Sequence, residues 1–273
     1  MKQPKQHDHV VFFSGGMSSF FTALRVKEKY GPENLKLLFT DTKYEDEDLY
    51  RFLREGAEYL GGDLVWLSDG RDPWQVFKDV RFLGNTRADP CSKILKRDLA
   101  KKWIKENYPN PESCTLYLGM NWEEEHRYKR SKRYWQPYQV ESPLLEPPFL
   151  DRSQMIQKLD HLRIFPPRLY EMGFPHNNCG GFCIKAGQAH FRHLLKEIPE
   201  KYREAEEKEK ELQEYLGKKV TILRDRRGGQ VRPLSLEEFR KMNQSEVDLM
   251  EWGGCGCFGD IPEEENVTAD AAS

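Results

Sequence analysis

The sequence predicts an α/β fold: a doubly wound, mostly parallel sheet with a helical, cysteine-bearing extension at its C-terminal end. In the first half, short β-rich runs alternate with helical patterns, as strand–helix–strand units require. After residue 138, prolines interrupt the chain more often than a regular α/β unit tolerates. Of the six cysteines, five lie beside glycines or at a predicted helix start, whereas Cys114 lies in an apolar run typical of a core.

Hydrophobic periodicity defines the elements of the first half. Apolar runs predict strands at residues 10–13, 35–39, 64–67 and 115–118. Helical spacing predicts helices at residues 18–30, 45–60 and 92–106. Gly31 and Pro32 end the first of these helices, and Leu95, Leu99 and Trp103 lie on one face of the last. This alternation of strands and helices favours a parallel sheet.

The composition changes near residue 147, and this change predicts a domain boundary. Residues 9–146 form the predicted α/β domain, and residues 147–273 form the predicted extension. The extension ends in an acidic tail beyond Pro262.

Three elements are predicted within the extension, of which the first is a helix that runs through Gln188 and His190 to Leu195. A helix is expected at residues 197–215, where seven acidic and four basic residues between positions 200 and 214 pair at helical spacing. Such a charge run is typical of a solvated surface. A two-stranded hairpin is expected at residues 220–232, because Gly228 and Gly229 separate two short β-rich runs.

The charge balance and the apolar runs exclude several classes of function. Lys and Arg number 43 and Asp and Glu 45, so the net charge of −2 provides no global field that would hold nucleic acid or anionic lipid. Such a partner requires a local basic patch. The apolar runs are too short for a membrane span, and residues 1–9 lack the apolar core of an export signal. We therefore expect a cytoplasmic protein with no membrane partner.

A glycine-containing turn joins the first predicted strand to the first predicted helix. Its glycines leave successive backbone N–H groups open to an anion, and the following helix adds the positive end of its dipole. Its serines add hydroxyl donors. A strand-to-helix turn capped by serine is the alternative, and the strand before and the helix after favour a phosphate site. The turn comprises Ser14, Gly15, Gly16, Met17, Ser18 and Ser19.

This turn resembles the SGGxDS pyrophosphate loop of the PP-loop superfamily, a HUP-like fold whose members are adenine nucleotide α-hydrolases. The resemblance is to the phosphoadenosine phosphosulfate reductase-like branch in particular, and it covers residues 9–135 in motif order. It implies that ATP or a related adenine nucleotide binds with its phosphates in the loop, together with Mg²⁺. Ser18 stands where the family has Asp, and Met17 stands where Lys is frequent.

A second segment of the resemblance ends the second predicted strand. Ligands of doubly wound sheets bind outside the carboxyl ends of the strands. The resemblance implies that Thr40 and Asp41 border the adenosine. Alternatively, the two side chains cap a helix that starts near Tyr44.

A third segment follows the fourth predicted strand and resembles the family's G-x-R…E-S-x-R motif. Gly119 would allow a close backbone approach, and Arg127 would donate to ligand phosphates. Asn121 stands where the family has Arg. A solvated surface position is the alternative for Arg127.

Five cysteines form a candidate metal or cluster site. Cys91 lies at a predicted helix N-terminus, which favours the thiolate, and Cys179, Cys183, Cys255 and Cys257 lie in glycine-lined turns. The pattern resembles that of cluster-bearing relatives. It implies a [4Fe–4S] cluster held by Cys91, Cys179, Cys183 and one of Cys255 and Cys257, with Cys255 the ligand assigned here. The remaining thiol of that pair would act in catalysis or bind sulfur. Zn²⁺ is the alternative metal, because four thiolates suit it equally well. Independent buried cysteines that bind no metal are the other alternative.

One nearby residue and two basic runs complete the candidates. His176, three residues before Cys179, would contact the metal ligands and would not bind the metal itself. The predicted helix 92–106 carries Lys93, Lys96, Arg97, Lys101, Lys102 and Lys105. Aromatic and basic residues also interleave between positions 127 and 138, a mixture that suits stacking on bases. A solvated helix face is the competing interpretation of both runs.

The leading hypothesis is an enzyme that cleaves ATP between its α and β phosphates to activate a substrate for sulfur transfer. The resemblance implies tRNA or DNA as the acceptor and a cysteine desulfurase as a partner. One alternative is a sulfonucleotide reductase that uses a C-terminal cysteine, although residues 254–258 lack the Glu-Cys-Gly-Leu-His motif of the family reductases. The other alternative is an inactive nucleotide- or nucleic-acid-binding module.

Overall fold

A parallel five-stranded sheet forms the centre of the protein. The computed structural model describes residues 7–84, 88–242 and 252–253. Within these residues the strand order is β3-β2-β1-β4-β5, and every neighbouring pair is parallel. The prediction of a doubly wound sheet is therefore confirmed. The strands are β1 (Asp8–Phe12), β2 (Leu35–Asp41), β3 (Asp63–Ser68), β4 (Cys114–Tyr117) and β5 (Gln139–Glu141).

Helices flank the sheet, and five of them lie in the part of the chain after residue 147 that the structure describes. None of those in the described residues has both the length and the apolar composition of a membrane span. Their bounds are α1 (Met17–Tyr30), α2 (Glu47–Leu60), α3 (Pro73–Asp79), α4 (Pro90–Ser92), α5 (Leu99–Asn107), α6 (Glu125–Tyr134), α7 (Arg152–His161), α8 (Arg168–Glu171), α9 (Gln188–Glu197), α10 (Pro199–Leu216) and α11 (Leu236–Lys241).

The central strand shows why the sheet needs cover on both faces. Successive side chains of a strand point to opposite faces. Val11 and Phe13 pack into a buried cluster with α1 and α2, whereas Val10 and Phe12 pack into a second cluster with α5 and the segment around Trp135. All four are nearly inaccessible to solvent. A continuous apolar run of this kind is typical of a parallel strand that is buried on both sides.

The segment after residue 147 contributes to the same core. Leu150, Met155 and Leu159 belong to the buried cluster that contains α1 and α2. A further cluster joins α9, α10 and α11 to the segment around Phe182. The domain boundary near residue 147 stays a prediction.

Several elements differ from the sequence-based expectations. The strand β5 and the helix α6 were not predicted, because β5 has three residues and α6 has too few apolar residues to show a helical period. The predicted helix 92–106 is α4, a π-helical stretch (Lys93–Asp98) and α5 in succession. The predicted hairpin is present as β6 (Leu223–Asp225) and β7 (Arg232–Leu234), which pair antiparallel.

The charged helix α10 is not purely a solvated surface, as its composition had suggested. Glu209 is 1% exposed, and its carboxylate accepts hydrogen bonds from the backbone N–H groups of Ile222 (2.8 Å) and Leu236 (2.7 Å). Burial raises the pKa of Glu209 to about 7. The carboxylate therefore ties α10 to the hairpin and to α11, and a charge pattern along one helix does not reveal such distant donors.

Candidate functional site

A cavity of about 630 Å³ opens at the carboxyl ends of β1 and β4. The strand order reverses between these two strands, because the chain runs outward from β1 through β2 and β3 and then continues on the other side with β4. This switch point is where doubly wound folds bind ligands. The cavity lining includes seven of the predicted nucleotide-binding residues, namely Ser14, Gly16, Met17, Ser18, Ser19, Gly119 and Arg127.

The β1–α1 loop, residues 14–19, presents a helix N-terminus to this cavity. Gly15 adopts a φ of +79°, which favours glycine. Gly16 is the N-cap of α1, and no side chain caps it, so the serine-cap alternative is wrong. The Ser19 hydroxyl instead donates to the Gly16 carbonyl (2.8 Å). The first turn of α1 contains no acidic residue, so its positive end favours an anion. The Tyr170 hydroxyl lies at this end and accepts from the Met17 backbone N–H.

Gly119 brings the end of β4 against the β1–α1 loop. A Cβ atom on residue 119 would lie 2.8 Å from the Ser19 backbone nitrogen and 2.9 Å from the Ser19 Cα. Both atoms belong to the backbone and cannot rotate away. The close backbone approach expected from the sequence is therefore present, and it fixes the loop against the strand.

Three cations, Lys96, Arg127 and Arg152, line the cavity. The Lys96 ammonium lies 3.3 Å from a carboxylate oxygen of Glu45, and the two side chains are 6% and 1% exposed. The Arg127 guanidinium donates to the Glu124 carboxylate, which also lines the cavity. Positive charge at this position complements a phosphate.

The basic helix 92–106 is thus not a uniformly solvated face. Lys96 is 5% exposed and Arg97 is fully buried, where it pairs with Asp89 at 3.1 Å. A buried charge needs a partner that offsets its lost hydration. Since Glu45 comes from a different part of the chain, the sequence did not single out Lys96 as a site residue.

A segment far along the chain closes the floor of the cavity. The Asn177 amide donates to the Gly15 carbonyl (2.9 Å), and the Asn177 side chain is 2% exposed. Among the described residues, the Asn177 Oδ1 has no hydrogen-bond partner. This contact joins the β1–α1 loop to a residue 162 positions later in the sequence. No sequence signal pointed to Asn177.

His176 also lines the cavity, whereas the sequence analysis predicted a role in contacting the metal ligands. Its ring stacks on that of His190, with centroids 5.4 Å apart. Desolvation lowers the pKa of His176 to about 3 and that of His190 to about 4. Both imidazoles are therefore neutral at physiological pH. The His190 Nε2 bonds to the Gly181 carbonyl (2.7 Å).

The cysteine turn, residues 177–183, lies directly beyond this floor. Cys179, Gly180 and Gly181 all have positive φ, of 54°, 59° and 81°. The Cys179 N–H donates to the Glu45 carboxylate, the same group that pairs with Lys96. A single buried carboxylate thus contacts both the cavity cation and the cysteine turn.

Three predicted metal ligands lie around one apolar cluster. Cys183 is buried within it, and Cys91 and Cys179 pack against it. Within residues 7–84, 88–242 and 252–253, no group of three or more His, Cys, Asp and Glu side chains is arranged to hold a metal ion. Cys255 and Cys257, one proposed as ligand and both as catalytic thiols, lie outside the described residues. The four-thiolate set stays a prediction.

Thr40 and Asp41 lie outside the cavity lining. Burial favours the neutral form of Asp41, but hydrogen bonds from the Lys43 N–H and the Tyr50 hydroxyl outweigh it and lower the pKa of the carboxyl. The helix α2 is capped by Asp46, so the capping alternative for Thr40 and Asp41 is wrong. Their contact with adenosine stays a prediction.

Comparisons with known proteins returned solved structures only. No family model and no curated protein matches the chain. Phosphoadenylyl-sulfate (PAPS) reductase from Candida auris, in a phosphate complex, is 15% identical at a TM-score of 0.41, over 63% of this chain and 80% of that chain. NMN synthetase from Francisella tularensis is 15% identical at a TM-score of 0.35, over 58% and 63%. NH3-dependent NAD synthetase from Campylobacter jejuni subsp. jejuni NCTC 11168, in complex with nitrate, is 14% identical at a TM-score of 0.36, over 81% and 90%.

Proposed function

We propose that this protein is an adenine-nucleotide-binding enzyme of the PP-loop superfamily that cleaves ATP between its α and β phosphates to activate a substrate for sulfur transfer. The observation that carries the proposal is the β1–α1 loop. It presents an uncapped helix N-terminus to a cavity at the switch point of the sheet, with a buried lysine in the same lining. These are the features of a polyphosphate site.

The proposed reaction places the β and γ phosphates in the β1–α1 loop. A nucleophile attacks the α-phosphorus, the bond from that phosphorus to the bridging oxygen breaks, and pyrophosphate leaves with the electron pair. Backbone N–H groups of the β1–α1 loop, the dipole of α1 and the Lys96 ammonium stabilise the charge that develops on the leaving group. Preorganised donors of this kind supply the main electrostatic term in phosphoryl transfer.

His176 contributes to this cavity as a neutral group. A pKa of about 3 makes its imidazole a poor general base at physiological pH, because efficient bases have pKa values near 7. A neutral ring still offers one N–H donor and one acceptor. We therefore assign it to hydrogen bonding with the bound nucleotide or with the attacking group.

The residues present fit a Mg²⁺ ion that is bound by the phosphates of the substrate and by one carboxylate of the protein. Ser18 leaves the β1–α1 loop without an acidic side chain. Among the acids in the lining, Glu124 pairs with Arg127, and Asp151 caps α7 by accepting from the Gln154 N–H. Glu123 is exposed at the rim and would complete the shell with water. Bound Mg²⁺ would neutralise phosphate charge.

The metal site and the partners are part of the same proposal. Cys91, Cys179 and Cys183, which border one apolar cluster, would hold a [4Fe–4S] cluster together with Cys255, with Zn²⁺ as the alternative. A bound cluster would hold or pass on sulfur. A tRNA or DNA acceptor, a cysteine desulfurase and a reducing cytosol complete the proposal. Anaerobic protein should contain about four irons per chain, whereas one zinc per chain would establish the alternative.

The deciding experiment follows the products of two nucleotides. Purified protein is incubated with Mg²⁺–ATP and, separately, with phosphoadenosine phosphosulfate. Pyrophosphate from ATP supports the proposal. Sulfite from phosphoadenosine phosphosulfate would establish a reductase instead, and nucleotide binding without either product would establish a binding module.

Lys96 and Lys93 provide a matched pair of variants for this assay. Both lie in the π-helical stretch, but Lys93 is exposed and pairs with Asp98 outside the cavity. Lys96→Met should lower kcat/KM for ATP by about 10- to 1000-fold, the usual loss when one preorganised donor is removed. Lys93→Met should change it little. Equal effects of the two variants would remove Lys96 from the phosphate site.

A further inference from the structure

The helices α5 and α6 together carry a basic surface of which only Arg127 belongs to the candidate nucleotide cavity. Residues 99–107 and 125–134 contain eight basic and two acidic residues, whereas the whole chain has a net charge of −2. The Lys101 ammonium lies 4.3 Å from the centroid of the Tyr134 ring, so the two helices meet at this contact. The basic surface comprises Lys101, Lys102, Lys105, Arg127, Lys129, Arg130, Lys132 and Arg133.

The basic surface starts at the rim of the candidate nucleotide cavity. Arg127, in the first turn of α6, lines the cavity, and α6 then extends about 15 Å away from it. The turn before α6 adds two carboxylates, of which Glu124 pairs with Arg127. The exposed pair of Lys129 and Glu125 (2.9 Å) is easily exchanged for another anion, since such pairs contribute little stability.

Two exposed aromatic rings lie at the same rim. Trp122 lines the cavity and is 51% exposed, and Phe149 is 50% exposed. Their ring centroids are 6.3 Å apart and their planes are tilted by 59°. Large aromatic side chains that remain half exposed beside cationic residues are typical stacking platforms for unpaired bases.

The observations favour a nucleic acid over an anionic membrane. Residues of α6 that face solvent, such as His126, Lys132 and Arg133, are polar or charged. An interfacial helix would instead carry a continuous apolar face. Trp122 and Phe149, the two half-exposed rings beside this basic surface, contact each other at the cavity rim, where one or two bases could stack.

We infer that the basic surface binds single-stranded nucleic acid, with an unpaired base stacked at Trp122 and Phe149. Delivery of that nucleotide to the cavity rests on the proposed function, whereas the binding itself does not. Phosphates along the strand contact the basic residues of α5 and α6. One end of the bound nucleic acid then lies at the cavity, where the activated group would form.

The test measures strand binding without any ATP. A fluorescent single-stranded DNA 12-mer, the same sequence as RNA and the corresponding duplex are titrated with the full chain at 50 to 200 mM KCl. Either single strand should bind more tightly than the duplex, and the affinity should fall as salt rises. Lys132→Ala/Arg133→Ala should weaken binding at least fivefold and lower the salt slope by about one to two.

Matched variants separate this surface from general charge effects. Lys208→Ala/Lys210→Ala removes two lysines from α10 and should leave strand affinity unchanged. Trp122→Ala should weaken binding about 5- to 150-fold, whereas Trp122→Phe should retain most of it. Tyr215→Ala removes an equally exposed ring, 51% accessible, and should have no effect.

Four outcomes would overturn the inference. The first three are a preference for duplex, equal losses in the α6 and α10 double variants, and binding to phosphatidylserine vesicles but not to strands. Equal binding to heparin, insensitive to Trp122→Ala, would also overturn it. If ATP is not cleaved but strands bind as described, the proposed function fails and the basic surface stands.

Discussion

The β1–α1 loop and the cysteine turn lie against the same cavity but are built in opposite ways. Hydrogen bonds within the β1–α1 loop connect residues at most five positions apart, such as Ser14 and Ser19 (3.4 Å). The cysteine turn is held by residues more than 130 positions away, namely Gly15 through Asn177 and Glu45 through Cys179. Local hydrogen bonds shape the β1–α1 loop, whereas the cysteine turn depends on two distant anchors in addition to its own local bond from the Phe182 N–H to the Cys179 carbonyl (2.9 Å).

Because of this difference, substitutions in the two turns should affect different properties of the protein. Damage to the β1–α1 loop should alter nucleotide binding directly. Substitutions that remove the contacts of the cysteine turn should mainly lower the free energy of unfolding. They should weaken nucleotide binding indirectly, because Asn177 and Lys96 then lose their positions. Four predictions test this contrast.

Removal of the Glu45 carboxylate should have the largest effect. Glu45→Ala leaves the buried Lys96 ammonium without this partner and frees the Cys179 N–H, so the free energy of unfolding should fall by about 3–5 kcal/mol. Urea denaturation measures this loss. Glu47→Ala, on the exposed first turn of α2, is the control and should cost less than about 1 kcal/mol. A loss no greater than that of the control would contradict the role of Glu45.

An alanine at Gly15 should have the next largest effect. Residue 15 has a φ of +79°, and a Cβ there would lie 2.7 Å from the Leu49 Cγ. Left-handed backbone and overpacking together should cost about 2–4 kcal/mol. In Gly15→Ala/Leu49→Ala, the second substitution removes the side chain that the new Cβ would overlap. Stability should be restored only in part, because the backbone strain at residue 15 persists. Unchanged ATP affinity in the single variant would show that the loop is not the phosphate site.

The contact between the two turns should have a smaller effect. Asn177→Ala removes the donor to the Gly15 carbonyl and should cost about 1–2 kcal/mol of unfolding free energy. It should also weaken ATP binding, since the loop loses one support. Asn178→Ala is the neighbouring control, because the Asn178 side chain makes no capping bond. Equal stability of the two variants would refute a link through Asn177.

The buried histidines should have no effect on stability near pH 7 and a growing one below it. Their folded pKa values of about 3 and 4 lie below the ordinary value of 6.5, so the unfolded chain binds protons that the folded chain cannot. The free energy of unfolding should therefore fall as the pH drops from about 6.5 toward 4. His190→Phe should flatten this dependence in urea denaturation measured at several pH values. An unchanged pH profile would mean that His190 is not buried as a neutral ring.

Features that depend on neighbouring residues were predicted from the sequence, whereas features that depend on distant residues were not. The β1–α1 loop was recognised because a buried strand, two glycines and a helix follow one another within a few residues. Gly119 was singled out because its segment follows a predicted strand and resembles a family motif. The strand β5 was missed because three residues carry no period, and α6 was missed because its exposed face is almost entirely charged.

By itself, the sequence determined the parallel sheet, the β1–α1 loop and the presence of a cysteine-bearing region, since these depend on neighbouring residues and on apolar periodicity. Only the tertiary structure decided that Lys96 lies buried in the cavity lining, that Asn177 holds the loop and that Glu209 holds the hairpin. A charged or amide group remains stable inside a protein when a partner offsets its lost hydration. Those partners come from distant parts of the chain, so folding alone brings them together.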